Sequence, residues 1–400
     1  MTSDSGGMAA ALQMTFFEQI RSLPRPAWIV FGGVFVNRFG SFVLPMLTLY
    51  LTKAGFSPFQ AGLAVGAYGG GHLVASFLGG HMADRLGRRN TIVVSMLGSA
   101  AAMLALSQAR AYAPIVILTF LAGCAAEMYR PASLALLADF VPPENRTVAI
   151  GVYRFAVNLG FAAGPATAGF LADRSFLLAF LGDAVTSVAY GLIAFALLPH
   201  GLRSEARDED AGAVRLIVRD TPFVLFLFAT VCITFVEFQF ISSLALHVTG
   251  HGYSAAVYGM LISLNGVIIV FLELAITAYV QRFHLLRAIA TGYLLTGIGF
   301  ALTGVAHALP ALAGTVVIWT LGEMVGMPPS SAWVAKIAPE RFRGRYMGMH
   351  SVAWSVGMLA GPPLGTLVFE RNPAALWSAC LLLGVISSTT LFALSRRIAS

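Results

Sequence analysis

Marked for apolar and polar positions, the chain divides into long apolar runs separated by short polar turns. The runs cover roughly 27 to 52, 59 to 82, 91 to 110, 114 to 137, 147 to 172, 176 to 199, 221 to 247, 254 to 281, 286 to 307, 310 to 336, 344 to 369 and 373 to 395, about twelve in all. Each is close to the ~20 residues an α-helix needs to cross a bilayer. They are too long for the strands of a membrane barrel, and only helices or closed barrels satisfy backbone groups in lipid. The pattern therefore predicts an all-α membrane protein with about twelve transmembrane helices.

The pattern also repeats. Shifted by 197 residues, Ser57, Gly62 and Gly69 fall on Ser254, Gly259 and Gly266. With the same shift Pro131, Ser133, Pro142, Arg146, Gly151, Gly160, Ala163, Gly164 and Pro165 fall on Pro328, Ser330, Pro339, Arg343, Gly348, Gly357, Ala360, Gly361 and Pro362. Two pseudo-symmetric six-helix bundles are expected, 1–199 and 221–400, joined by the charged linker 200–220. Duplicated membrane halves point to a transporter whose site lies on the axis between them.

Composition fits that solvent: 58% of the 400 residues are hydrophobic and 11% charged, against ~25% charged in soluble domains. Mean hydropathy is +0.79. Of the 25 Lys and Arg, Lys53, Arg110, Arg174 and Arg371 fall on one side and Arg38, Arg130 and Arg154 within spans, while the rest gather on the side of the termini. The positive-inside rule then makes both termini cytoplasmic, and it accounts for the net charge of +7 without a nucleic-acid partner. No secretory signal pattern is visible in residues 1 to 26. Cys124, Cys232 and Cys380 lie in spans without metal spacing and read as buried small hydrophobes, so no metal or cofactor is expected.

The loop after the second span runs Gly80-His81-Met82-Ala83-Asp84-Arg85-Leu86-Gly87-Arg88-Arg89. It resembles the cytoplasmic loop signature of the major facilitator superfamily, and with twelve spans in two halves the resemblance covers the whole chain. It implies the major facilitator fold, with Asp84 facing the start of the eleventh helix near Gly344, where a helix dipole favours a carboxylate. It further implies that Arg88 pairs with Asp139, latching the cytoplasmic side of the outward-facing state. In the second repeat the loop Gln281-Arg282-Phe283-His284 has no acid.

In the fifth span, Gly160-Phe161-Ala162-Ala163-Gly164-Pro165 permits close helix packing and a kink. It also resembles the Gly-x-x-x-Gly-Pro signature of drug:proton antiporters, with the terminal glycine pair present as Ala168-Gly169. That resemblance implies export.

Ionisable residues within spans are costly and normally face a partner or a watery cavity. The first half carries Arg38, Glu127, Arg130, Arg154 and Asp183; the second carries only acids, Glu237, Glu273 and Glu323. Helical rise sets Arg38 about 16 Å into the first span and Glu323 about 20 Å into the tenth, both near mid-membrane. Glu323 has no basic residue within a turn, and a carboxylate buried without a cation suits proton carriage. It resembles the tenth-helix glutamate of several multidrug exporters. Glu237 and Glu127 are further candidates for proton coupling, and Glu273 for the cavity or an interhelix bond. Glu127 and Arg130, three apart, can pair on one face, with Arg154 entering nearby, as a structural cluster or a substrate-coupled switch. Asp183 reads as structural.

The expected function is proton-coupled antiport of cationic or amphipathic small molecules across a bacterial inner membrane. The proton gradient supplies the energy, and a monomer suffices. A second reading rests on Asn37-Arg38-Phe39 and Tyr153-Arg154-Phe155-Ala156-Val157-Asn158-Leu159-Gly160, which resemble remnants of the motifs of proton-coupled peptide importers. Val34 and Asn37 stand at that motif's two glutamate positions. It implies import of peptides or anionic metabolites, with Arg38, Arg154 and Asn158 holding a carboxylate. A membrane enzyme or receptor is a third class, but no catalytic triad, metal-spaced histidines or phosphate loop supports it.

Overall fold

The computed structural model describes residues 16–201, 217 and 219–399. Most of the charged linker and the first fifteen residues lie outside them. Twelve helices there are long and apolar enough to cross a membrane. They are α1 Arg25–Lys53, α2 Pro58–Arg85, α3 Arg88–Gln108, α4 Tyr112–Phe140, α5 Pro143–Arg174 and α6 Phe176–Leu197, followed by α7 Thr221–Ile241, α8 Ala255–Val280, α9 Leu285–Thr303, α10 Leu309–Ile337, α11 Glu340–Arg371 and α12 Pro373–Arg397. The face near the start of α1 and the end of α12 is called the terminal face below, and its opposite the distal face.

Local chemistry sets the helix ends. Ser57 and Gln60 form a reciprocal capping box at the start of α2, with Pro58 at the first helical position. The same place in the second half has Ser254 accepting from the Val257 N–H at 3.4 Å. Gly87 turns α2 into α3 at φ +87°, a left-handed conformation that favours glycine. Large apolar side chains such as Val185, Leu192, Phe195 and Leu382 point outward and are more than half exposed, as a lipid-facing perimeter requires.

Three spans are broken, which the apolar pattern did not predict. α1 is interrupted at residues 40 to 42, and the carboxylate of Asp183 on α6 accepts from the Val43 N–H that restarts it, at 3.2 Å. α7 loosens into a 3-10 turn, Phe238–Ile241, before a short helix Ser243–Gly250. There Gln239 donates to the carbonyls of Phe235 and Gly361, both at 2.9 Å. α4 breaks at Met128, where the Ser95 hydroxyl of α3 enters the ladder, donating to Ala125 O and accepting from Tyr129 N at 3.0 Å. The breaks in α1 and α7 fall at equivalent repeat positions, since Glu237 is 197 residues after Gly40. Unwound backbone is tolerated at membrane depth only where protein or a cavity satisfies it.

Candidate polar carrier site between the two halves

Two long seams join the halves, α2 against α11 and α5 against α8. They are the same packing made twice. A Cβ on Gly62 would run into the carbonyl of Pro362, and one on Gly259 into that of Pro165; Gly69 abuts Met358 and Leu359, and Gly266 abuts Ala162. All of these lie toward the distal face. Toward the terminal face the seams part: Gly80, Gly151, Gly344 and Gly348 have nothing within 4 Å of where a Cβ would sit, and Phe77 and Phe271 are 66% and 77% exposed. The molecule is closed distally and open terminally.

The distal closure is held by two acids at the ends of α5 and α11. Asp173 accepts from the N–H groups of Ala255 and Ala256 at 2.9 and 3.0 Å, at the start of α8. Glu370, its repeat equivalent, accepts from Phe59 N at the start of α2 at 3.2 Å. Both place negative charge at a helix N-terminus. The second has one bond fewer because Pro58 has no N–H to give. Sequence reading missed both acids, though the 197-residue spacing of the acids and of their donor positions was the available signal.

Between the seams the breaks in α1, α4 and α7 gather polar groups. Arg38 donates to both oxygens of Glu127, at 3.0 and 3.2 Å, and its guanidinium lies over the Tyr129 ring. The expected Glu127–Arg130 pair is present but looser, at 4.0 Å, with the Arg130 side chain 54% exposed. The break at Met128 lies between the two residues. Asn37 does not face a cavity; it is buried against Met96 of α3, its amide 3.4 Å from Sδ. Gly160 and Gly164 seat α5 against the backbone of Arg38 and Phe39, so the antiporter-like motif acts here in packing, with Pro165 at the seam.

Arg154 does not join the Glu127 cluster. It crosses the α5–α8 seam to Glu273 at 2.5 Å, and Asn158 donates to the other Glu273 oxygen at 3.0 Å. The second half is therefore not a set of unpaired acids. Glu323 accepts from the Asn265 amide at 2.9 Å, which also donates to Thr320 Oγ1 at 3.1 Å. Glu237, buried at the break in α7, keeps one oxygen without a hydrogen-bond partner among the described residues and interacts through space with Glu323. Aromatic rings follow it: Phe240 packs edge-on to Phe161 and stacks on Trp319, and Phe238 meets Trp354.

In the loop after α2, Arg88 contacts Asp139 directly and donates to Ala135 O at 2.8 Å. Both partners belong to the first half, and the contact exists with the terminal side open, so it is not by itself a mark of a terminally closed state. Arg85 is exposed. Gly344, the expected neighbour of Asp84, has open space about it, and Asp84 forms no ion pair among the described residues.

Two halves of like packing, closed at one face and open at the other around buried charges, define a helical membrane carrier. The chain belongs to the Major Facilitator Superfamily, whose family model matches residues 30–362 and 249–398. It is similar to a Na(+), Li(+), K(+)/H(+) antiporter of Planococcus maritimus, 24% identical over 83% of this chain and 86% of that one. Multidrug resistance protein 1 of Bacillus subtilis is likewise 24% identical, over 86% and 89%. Among solved structures, a peptide transporter POT variant in complex with alafosfalin superposes with a TM-score of 0.81 at 17% identity, over 99% of both chains. At that identity the likeness concerns the fold alone. The chain is thus a transporter and not an enzyme.

Proposed function

We propose that the protein is a proton-coupled exporter of cationic or amphipathic small molecules, working by alternating access. The observation that carries this reading is the difference in charge between the halves. In the first, Arg38 is neutralised by Glu127; in the second, Glu237 and Glu323 interact with each other, and no ion pair of either is among the described residues. Two acids without an ion pair, Glu237 buried and Glu323 half-buried, suit a site that binds a proton or a cationic substrate in turn. The rings of Phe161, Phe238, Phe240, Trp319 and Trp354 offer apolar and cation–π surface beside them.

The positive-inside pattern supports a cytoplasmic terminal face, which makes this conformation inward-open in a bacterial inner membrane. Protons arriving from outside neutralise Glu323 with Glu237 and displace the substrate; their loss to the cytoplasm resets the carrier. The proton gradient is the energy source, and one chain is the working unit. The names of the antiporter and multidrug relatives are in keeping with this reading.

Import of peptides or anionic metabolites is the second reading, and the exposed Arg130 favours it. Against it, Arg38 is already bound by Glu127, and Arg154 and Asn158 by Glu273. Proteoliposomes under a pH gradient separate the two. Ethidium transport driven by protons is expected, falling at least about tenfold in Glu323→Gln, while ethidium exchange without a gradient persists. Full gradient-driven transport in that variant, or proton-driven dipeptide uptake without ethidium movement, would overturn the proposal.

A further inference from the structure

Both seams carry a polar contact at one shared repeat position. On the α5–α8 seam it is Asn158, bonded to Glu273 beside Arg154. Its equivalent 197 residues later, Ser355 of α11, is 2% exposed and meets Nδ1 of His72 on α2 at 3.3 Å. The other ring nitrogen, Nε2, stands 3.6 Å from Glu127 Oε2. One imidazole therefore links the Arg38–Glu127 pair of the first half to the second half. One seam has an ion pair at this level, and the other an imidazole, a side chain able to take up a proton.

His72 also marks where its seam opens. Distally, Gly62, Gly66 and Gly69 are in tight contact with α11. Terminally, Ser76 and Phe77 are exposed and Gly80 is open, and the His72 side chain is itself 23% exposed. The charged and titratable groups around it are Glu127, Arg130 and Tyr129 from α4, Arg38 from α1 through Glu127, and Tyr68 on its own helix; α11 contributes Ser355.

We propose that His72 is a proton-binding site through which protonation on the terminal side is transmitted to the Arg38–Glu127 pair and to the α2–α11 seam. The neutral ring accepts the Ser355 hydroxyl proton at Nδ1 and turns its Nε2–H toward Glu127. Protonation makes both nitrogens donors. The Ser355 hydroxyl must then reverse and accept, and the Glu127 carboxylate gains a further cation beside Arg38 and Arg130. The proton comes from water in the terminal opening and returns there. This rests on the proton-driven reading above, but its test involves no substrate.

Spin labels at Gly80→Cys and Gly348→Cys, in full-length protein lacking its three native cysteines and held in lipid nanodiscs, report the width of the terminal opening. Across pH 5 to 8 the distance distribution is expected to shift between two populations in otherwise wild-type protein. It is expected to lose that shift in His72→Gln and to keep it, weakened, in Ser355→Ala. Histidine ¹⁵N spectra of His72→Asn against wild type assign the ring signal, whose titration is expected to move in Glu127→Gln. A shift that survives in folded His72→Gln, or a His72 signal that does not titrate in this range, overturns the proposal. Either result leaves the role proposed for Glu323 standing, because gradient-driven ethidium transport reads that role separately.

Discussion

Arg38 and Glu127 are joined by two hydrogen bonds between α1 and α4, and the Glu127 side chain is 8% exposed. Removing one member of such a pair leaves a buried charge without its partner, which costs about 3–5 kcal/mol. Glu127→Gln is therefore expected to lower the midpoint of thermal unfolding in detergent markedly, and Arg38→Gln/Glu127→Gln to recover much of the loss. A double variant no more stable than Glu127→Gln would mean that the pair is not the unit. Both residues were visible in the sequence as intramembrane charges, but their partnership was not. They lie 89 positions apart, while the nearer basic residue, Arg130, makes only a looser contact with Glu127 at 4.0 Å. His72 was less legible still: a lone histidine in an apolar span has no local signal, and its meaning comes from Glu127 and Ser355 on other helices.

At the scale of helices, the distal closure rests on paired acid-to-N-terminus contacts whose strengths differ for a stated reason. Asp173 holds two N–H groups of α8, while Glu370 holds one of α2 because Pro58 has none. Losing a helix cap costs about 1 kcal/mol, or roughly fivefold in a two-state equilibrium. Asp173→Asn is expected to enrich distally open molecules by about that factor and Glu370→Gln by less, read from label distances between Ala54→Cys and His251→Cys. Equal effects would argue against the proline explanation. The lengths and ends of the spans were readable from apolar runs, caps and the turn glycine. The interruptions in α1 and α7 were not, since an apolar run does not record that Asp183 or Gln239 will satisfy the backbone groups it frees.

For the whole molecule, the repeat makes the two seams alike and lets them close at one face while parting at the other. Cysteines at Gly151 and Gly348, in protein without the native three, are expected to react quickly with a membrane-impermeant maleimide added from the terminal side, and slowly from the distal side. Equal labelling from both sides would show that the seams are not closed distally. The sequence by itself determined the solvent, the twelve helices, the repeat and the presence of buried charges, because each follows from residue type and spacing along the chain. Tertiary structure alone decided which charges neutralise one another, which face is open and which acids remain without a cation. Those depend on helices far apart in sequence meeting at one depth, and a linear pattern carries no term for that distance.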